Sequence, residues 1–126
     1  MQQDGRHVAE ALWKALAAGD WDAAGSCLHD DFVQEWPQSG ERIVGRENAL
    51  AIDKSFPGGL PRMSLRRTIG EGDLSVLEVE LQYVDGSIYQ GVSIIELRDG
   101  RVVRETDYFA EPFKAPQWRA QWVERM

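Results

Sequence analysis

Cysteine occurs once in the 126 residues, at Cys27, so no disulfide can close within the chain. A reducing compartment, the cytoplasm, is the expectation. Basic residues are in the minority, 14 against 21 acidic, for a net charge of −7. They are also scattered, the densest pair being Arg66-Arg67 inside a strand-like run. Neutralising a phosphate backbone needs clustered Lys and Arg, so a nucleic-acid partner is excluded. No apolar run approaches the roughly 20 residues of a membrane span, and the segment from Met1 to Arg6 lacks the apolar stretch of a signal peptide. Histidine is rare: His7 and His29 fall near a helix start and a helix end, in solvated positions, and neither has a second ligand at metal spacing. Repeats, linkers and low-complexity stretches are missing. The expectation is one soluble domain over residues 1–126, with neither membrane nor nucleic acid as partner.

The patterns that are present divide the chain in two. Val8, Leu12, Ala15 and Leu16 recur at helical spacing, with Glu10 and Lys14 as an outward i,i+4 pair. Gly19 stops this helix, and Asp20 caps a second one predicted to run through about Leu28. After a short strand from Phe32 to Trp36, a third helix is predicted from Gly45 to Phe56, ended by Pro57-Gly58-Gly59. The second half reads as four strands: Met63 to Ile69, Leu74 to Val84, Ile88 to Leu97 and Val102 to Phe109. Asp85-Gly86 and Asp99-Gly100 mark hairpin turns. A closing helix over Pro116 to Arg125 would use Trp118 and Trp122 to lid a pocket or pack a dimer interface. Helices first and a meander afterwards mean an α+β fold, a curved antiparallel sheet with N-terminal helices enclosing a cone-shaped pocket.

Turn geometry decides which side chains face that pocket, because a one-residue slip turns all of them over. If Asp99-Gly100 is a two-residue turn, Ile95 pairs with Arg104 and Val92 with Asp107. A three-residue loop with a glycine bulge pairs Ser93 with Glu105 and Gly91 with Asp107. The second arrangement is preferred because it removes Arg104 from the core. It sets Val103, Glu105, Asp107 and Phe109 beside Tyr89, Gly91, Ser93 and Ile95. For the other hairpin, a bulged turn at Val84-Asp85-Gly86 sends Leu77, Val79, Leu81 and Tyr83 inward, and the alternative sends Glu78, Glu80 and Gln82 inward. Burying a Val or Leu is worth roughly 1.5–3 kcal/mol. Two carboxylates about 6.6 Å apart on a strand would repel by about 2.5 kcal/mol at an effective dielectric near 20. Glu78 and Glu80 are therefore expected outside.

The element order over nearly the whole chain resembles the nuclear transport factor 2-like superfamily, most closely its SnoaL-like, polyketide cyclase-like members. The resemblance is sharpest at Ala18-Gly19-Asp20-Trp21, at His29-Asp30-Asp31-Phe32, and at Asp99-Gly100-Arg101-Val102-Val103 followed by Asp107-Tyr108-Phe109. It implies a cofactor-independent pocket protein. The ketosteroid isomerase base would fall at Trp36, before Pro37, and its oxyanion-hole Tyr and Asp near Leu12 and Ser93, so all three roles are vacant. The limonene epoxide hydrolase Arg and first Asp would fall at Val79 and Leu81, or at Glu78 and Glu80, with no Arg in either register. Its second Asp, and the acid/base Asp of the SnoaL-like cyclases, match Asp107, the one catalytic role that transfers.

Asp107 is thus the candidate catalytic residue, a carboxyl in a mostly apolar pocket able to move a proton. Trp36 and Phe109 could stack on a flat ligand, Tyr89 or Ser93 could hold a carbonyl, and Glu105, one pleat from Asp107 but nearer the turn, is expected to be more solvated. The bland alternatives are core packing for the aromatics, and for Asp107 a loop hydrogen bond or a pair with an inward Arg67. The leading expectation is a lyase, isomerase or cyclase acting on a small apolar organic molecule. The alternative is a non-catalytic ligand-binding or dimeric assembly module. A homodimer is expected in either case, because an outward sheet face with Val92, Ile94 and Val102 is too apolar for water.

Overall fold

A computed structural model describes residues 5–126. Helix α1 (Gly5–Ala18) buries Val8, Leu12 and Ala15 as its spacing predicts, adds Ala9, leaves Leu16 half-buried, and ends before Gly19, whose positive φ an L side chain would resist. Helix α2 (Trp21–Ser26) is capped by Asp20, whose carboxylate accepts the Ala23 N–H at 3.1 Å. It ends earlier than its sequence suggests, because Leu28 opens strand β1 (Leu28–Trp36), which is four residues longer at its start than the Phe32–Trp36 stretch. Strand β2 (Glu41–Val44), absent from the sequence reading, folds back on β1, and α3 (Arg46–Lys54) follows. Strands β3 (Arg62–Glu71), β4 (Leu74–Gln82), β5 (Ile88–Arg98) and β6 (Arg101–Ala110) form the meander.

The six strands make one curved, unclosed sheet in the order β2-β1-β6-β5-β4-β3. Every pair is antiparallel except β1 with β6, which run parallel and set Gln34 beside Glu105. Helix α1 lies over β3 and β4, and α3 over β1, so the helices cover one face. The core fills the space between: Leu12 and Phe32 pack with Leu77, Val79, Ile95 and Val102, all fully or almost fully buried. Among the described helices, none is long and apolar enough to cross a membrane.

Both hairpins have a definite register. In β4–β5, Gln82 pairs with Ile88 and Tyr83 N–H donates to Ser87 C=O at 2.9 Å, leaving Val84-Asp85-Gly86 as a three-residue loop. Leu77, Val79 and Leu81 are buried, while Glu78 and Glu80 face outward toward Arg67 at 3.3 Å and Arg66 at 3.9 Å. The β5–β6 hairpin follows neither arrangement that the sequence offers. Asp99 and Gly100 both have positive φ, 52° and 75°, and Arg98 pairs with Arg101, a two-residue turn of the kind whose twist suits a hairpin. The ladder then slips between Glu96 and Leu97: Leu97 pairs with Val102, but Glu96 pairs with Arg104, and Val103 is the extra residue. Beyond that bulge Ser93 faces Asp107, Gly91 faces Phe109, and Ile95 faces Glu105.

The bulge also corrects two placements. Val102 is fully buried in the core rather than part of the outer face, and Val103 lies on the outer side with Val33, Glu35 and Arg104. Glu35 there receives hydrogen bonds from both Arg42 and Arg104. The C-terminal stretch forms a short 3-10 helix over Gln117–Trp122, not a closing helix, and leaves Trp118 and Trp122 74% and 72% exposed. His29 is buried, its Nδ1 accepting the Asp31 N–H at 3.0 Å, rather than solvated.

If the inward row of β4 carries the core, Leu77→Ala should cost about 2–5 kcal/mol of unfolding free energy. Leu74→Ala, at a half-exposed position on the same strand, should cost less than about 1 kcal/mol. Urea denaturation of the two variants checks the contrast.

Candidate functional site

The inward face of the sheet and the two longer helices bound a cavity of about 120 Å³. That is room for about four water molecules, or one small organic molecule. Helix α1 supplies Leu12, Trp13 and Leu16 to its wall, α3 supplies Ala49, Leu50, Ile52 and Asp53, and the loop beyond α3 adds Phe56, Leu60 and Pro61. From the sheet come Phe32, Gln34 and Trp36 of β1, Leu81 and Tyr83, and Glu105, Asp107 and Phe109 of β6. The wall is mostly aromatic and aliphatic, and among the described residues its ionisable groups besides the Tyr83 phenol are the three carboxyls of Asp53, Glu105 and Asp107.

Glu105 and Asp107 sit one pleat apart on β6, only 6% and 2% exposed. Asp107 is held from three directions. Ser93 Oγ, directly opposite on β5, donates to Oδ1 at 2.6 Å. The Trp36 indole N–H donates to Oδ2 at 2.9 Å, and the Gln34 side-chain amide donates to the same oxygen at 2.6 Å. Gln34 also donates to Glu105 Oε2 at 3.0 Å, so one NH2 group bridges the two carboxyls. The parallel pairing of β1 with β6 is what makes this possible, since it lays Gln34 alongside Glu105. Burial pushes the Glu105 carboxyl well above its usual range, and the Asp107 charge and a hydrogen bond with Asp107 push it the same way. Glu105 is thus a proton-holding acid set against Asp107. It is more deeply buried than its nearness to the turn suggests.

Asp53 faces this pair from α3. Desolvation raises its pKa to about 6, with the Asp107 charge adding to the effect. Its carboxyl has no hydrogen-bond or ion-pair partner among the described residues. The Trp13 indole N–H is buried without an acceptor. Among the described residues, no three His, Cys, Asp or Glu side chains are arranged to hold a metal ion.

The structure brings Trp36, Glu105, Asp107 and Phe109 together on the cavity wall, with Trp36 serving as a hydrogen-bond donor to Asp107 as well as an aromatic surface. Ser93 and Tyr89 are off the wall. Ser93 is fully buried behind Asp107, with its hydroxyl committed there. Tyr89 packs edge-on against Tyr83 at 5.0 Å between ring centres, and the tyrosine that reaches the cavity is Tyr83. Arg67 is outside, paired with Glu78, and makes no contact with Asp107. Gln34 and Asp53 carry the polar chemistry that the sequence reading lacks. Gln34 follows the period-two alternation Phe32, Gln34, Trp36, and Asp53 lies four residues after Ala49 on the inward stripe of α3, so each had a periodic signal.

The SnoaL-like domain model matches residues 9–105. An NTF-2 like protein of unknown function from Burkholderia xenovorans LB400 is 45% identical, with 97% of this chain and 94% of that one covered and a TM-score of 0.85. A candidate ketosteroid isomerase from Kribbella flavida is 29% identical over 97% of this chain and 89% of that one, with a TM-score of 0.87. An LEH-like epoxide hydrolase of M. tuberculosis shares the fold, at 24% identity over 83% of this chain and 81% of that one, with a TM-score of 0.72. No curated protein matches the sequence.

The buried acids set a pH dependence of stability. In the unfolded chain both Glu105 and Asp53 ionise near the ordinary value of about 4. In the folded chain they keep their protons to higher pH, Asp53 to about 6. The folded state therefore binds more protons across that interval, and stability falls as pH rises through it. The melting temperature should be lower at about pH 8 than at about pH 5, and Glu105→Gln, which has no proton to lose, should flatten the slope. A melting temperature that climbs over this range, or an unchanged slope in the variant, would exclude a neutral buried Glu105.

Proposed function

Because the chain belongs to the SnoaL-like domain family of the nuclear transport factor 2-like superfamily, we propose that it is a cofactor-independent enzyme of lyase, isomerase or cyclase type. It acts as a single cytoplasmic domain on a small, mainly apolar molecule, with Asp107 as the acid/base group. The carrying observation is the carboxyl pair: Asp107, fixed by Ser93, Gln34 and Trp36, against the proton-holding Glu105 on the floor of an apolar cavity. Asp107 takes a proton from carbon, and Glu105 supplies one to the oxygen or carbon that gains electron density. The hydrogen bond between the two carboxyls then resets the pair. Trp36 and Phe109 flank the bound molecule, and Tyr83, whose phenol is kept protonated by burial, offers a hydroxyl to a carbonyl in place of Tyr89 or Ser93. The cavity volume favours a molecule of about one ring over a polycycle.

The resemblance leaves a second reading, a non-catalytic binding module. It is favoured by the aliphatic Leu12, Val79 and Leu81 at positions where relatives place catalytic groups. Turnover decides between the two. In a screen of enolisable carbonyls and epoxides, Asp107→Asn should lower the rate on any accepted compound by about 10²–10⁴-fold, the usual share of general acid–base catalysis. Ligand binding that survives this substitution, with no turnover in either protein, would favour the binding module.

The chain also pairs with itself through the outer sheet face. Val76, Val92, Ile94 and Tyr108 are direct cross-strand neighbours there, and Tyr108 is 44% exposed. Sedimentation at micromolar concentration should give twice the 14.2 kDa chain mass, and Tyr108→Glu should halve it. A wild-type monomer would reject the interface.

A further inference from the structure

Asp53 is the one carboxyl on the cavity wall that no donor or cation among the described residues addresses. Glu105 and Asp107 satisfy each other with the help of Gln34, Trp36 and Ser93, whereas Asp53 has neither a donor nor a cation within reach among the described residues. The groups that face it across the cavity are Glu105 and Asp107 from β6 and the Tyr83 phenol, and among the described residues no Lys, Arg or His lines the wall. A half-buried carboxyl without a partner holds its charge at a desolvation cost, which a cation seated beside it would offset. The remaining wall is rich in π faces, with Trp13, Trp36, Phe56, Tyr83 and Phe109 surrounding the space. Such faces attract a cation and are indifferent to a neutral group of the same shape.

We infer that the molecule bound in this cavity carries a cationic nitrogen, an ammonium or alkylated amine, seated at Asp53. This rests on the reading of the cavity as the ligand site and adds the chemical class of the ligand. It also fixes a direction, with the positive end of the molecule on α3 and the reacting carbon over Asp107. Carboxylate and phosphate compounds are excluded by the same field, since three acids and no base line the wall.

A matched pair of probes isolates the charge: choline, and 3,3-dimethylbutan-1-ol, which has the same shape and hydroxyl with carbon in place of nitrogen. Titration calorimetry at about pH 8, above the Asp53 pKa of about 6, should show choline binding at least about tenfold more tightly than the alcohol. At about pH 5, where Asp53 is mostly protonated, the preference should shrink. Asp53→Asn should reduce the choline preference at least about threefold, leaving what the aromatic faces and Asp107 supply, and a circular dichroism spectrum unchanged from wild type confirms that this variant is folded. Equal affinities in the wild type, or a preference undiminished in Asp53→Asn, would overturn the inference. Binding of the alcohol alone would remove the amine while leaving the cavity as a ligand site. If neither compound binds, the amine is also rejected, and the acid–base reading is then judged separately by the loss of turnover in Asp107→Asn.

Discussion

One extra residue, Val103, allows two local demands to be met in the same hairpin. The Asp99-Gly100 dipeptide favours a two-residue turn, with both residues at positive φ. Carried on regularly from that turn, the ladder would set Val92 opposite Asp107 and Ile95 opposite Arg104. The acids would then point outward, and an arginine would point into the core. Slipping by one residue at Val103 keeps Val102 in the core and returns Arg104 to the surface. The same slip leaves Glu105, Asp107 and Phe109 facing the cavity. The cost of the slip is one interrupted step in the ladder. Burying Arg104 unpaired would cost far more, since an uncompensated interior charge is worth several kcal/mol.

Once the acids face inward, the neighbouring strands must satisfy them, and the sheet order dictates which residues are available. Strand β6 lies between β5 and β1, so each side contributes donors: Ser93 from β5, Gln34 and Trp36 from β1. Gly91, opposite Phe109, serves the same arrangement by its lack of a side chain. A Cβ there would sit 2.9 Å from Val79 Cγ2 and 3.2 Å from the Phe109 ring, and would push that ring out of its place on the wall. The donors suffice for one carboxylate and not for two, because the bridging Gln34 amide has only two hydrogens to share. Retention of a proton by Glu105 follows from that arithmetic as much as from burial.

The sequence was most readable where structure is local. The α1 stripe, the turn residues and the alternation of β4 follow from spacing and turn chemistry alone, whereas the inward row Glu105, Asp107, Phe109 is reached in the structure by a different pairing from the one the sequence suggests. Three features did not, and each depends on a contact far along the chain. Pairing of β1 with β6 joins segments about seventy residues apart, so neither the start of β1 at Leu28 nor the bridging role of Gln34 could be read from neighbouring residues. The bulge at Val103 depends on which side chains the core accepts, and the choice between two turn types could not anticipate a normal turn followed by a slip. The burial of Glu105 was misjudged because distance from a turn is a poor measure of depth when a helix lies over the strand end. Trp118 and Trp122 at i,i+4 suggested an amphipathic helix, but with no surface under them they are left in solvent.

The pleat also separates charges by sign. On the outer face four strand acids have basic neighbours: Glu78 with Arg67, Glu80 with Arg66, and Glu35 and Glu96 with Arg104. These exposed pairs contribute little to stability, but they occupy the arginines. On the inner face the acids have only neutral donors, and Asp53 arrives from α3 with none. The interior is therefore left with uncompensated negative potential in a low-dielectric space, where a charge interacts several-fold more strongly than in water. That potential both lifts the proton affinity of Glu105 and sets the sign of what the cavity can hold, so the acid–base chemistry and the choice of ligand have the same physical origin.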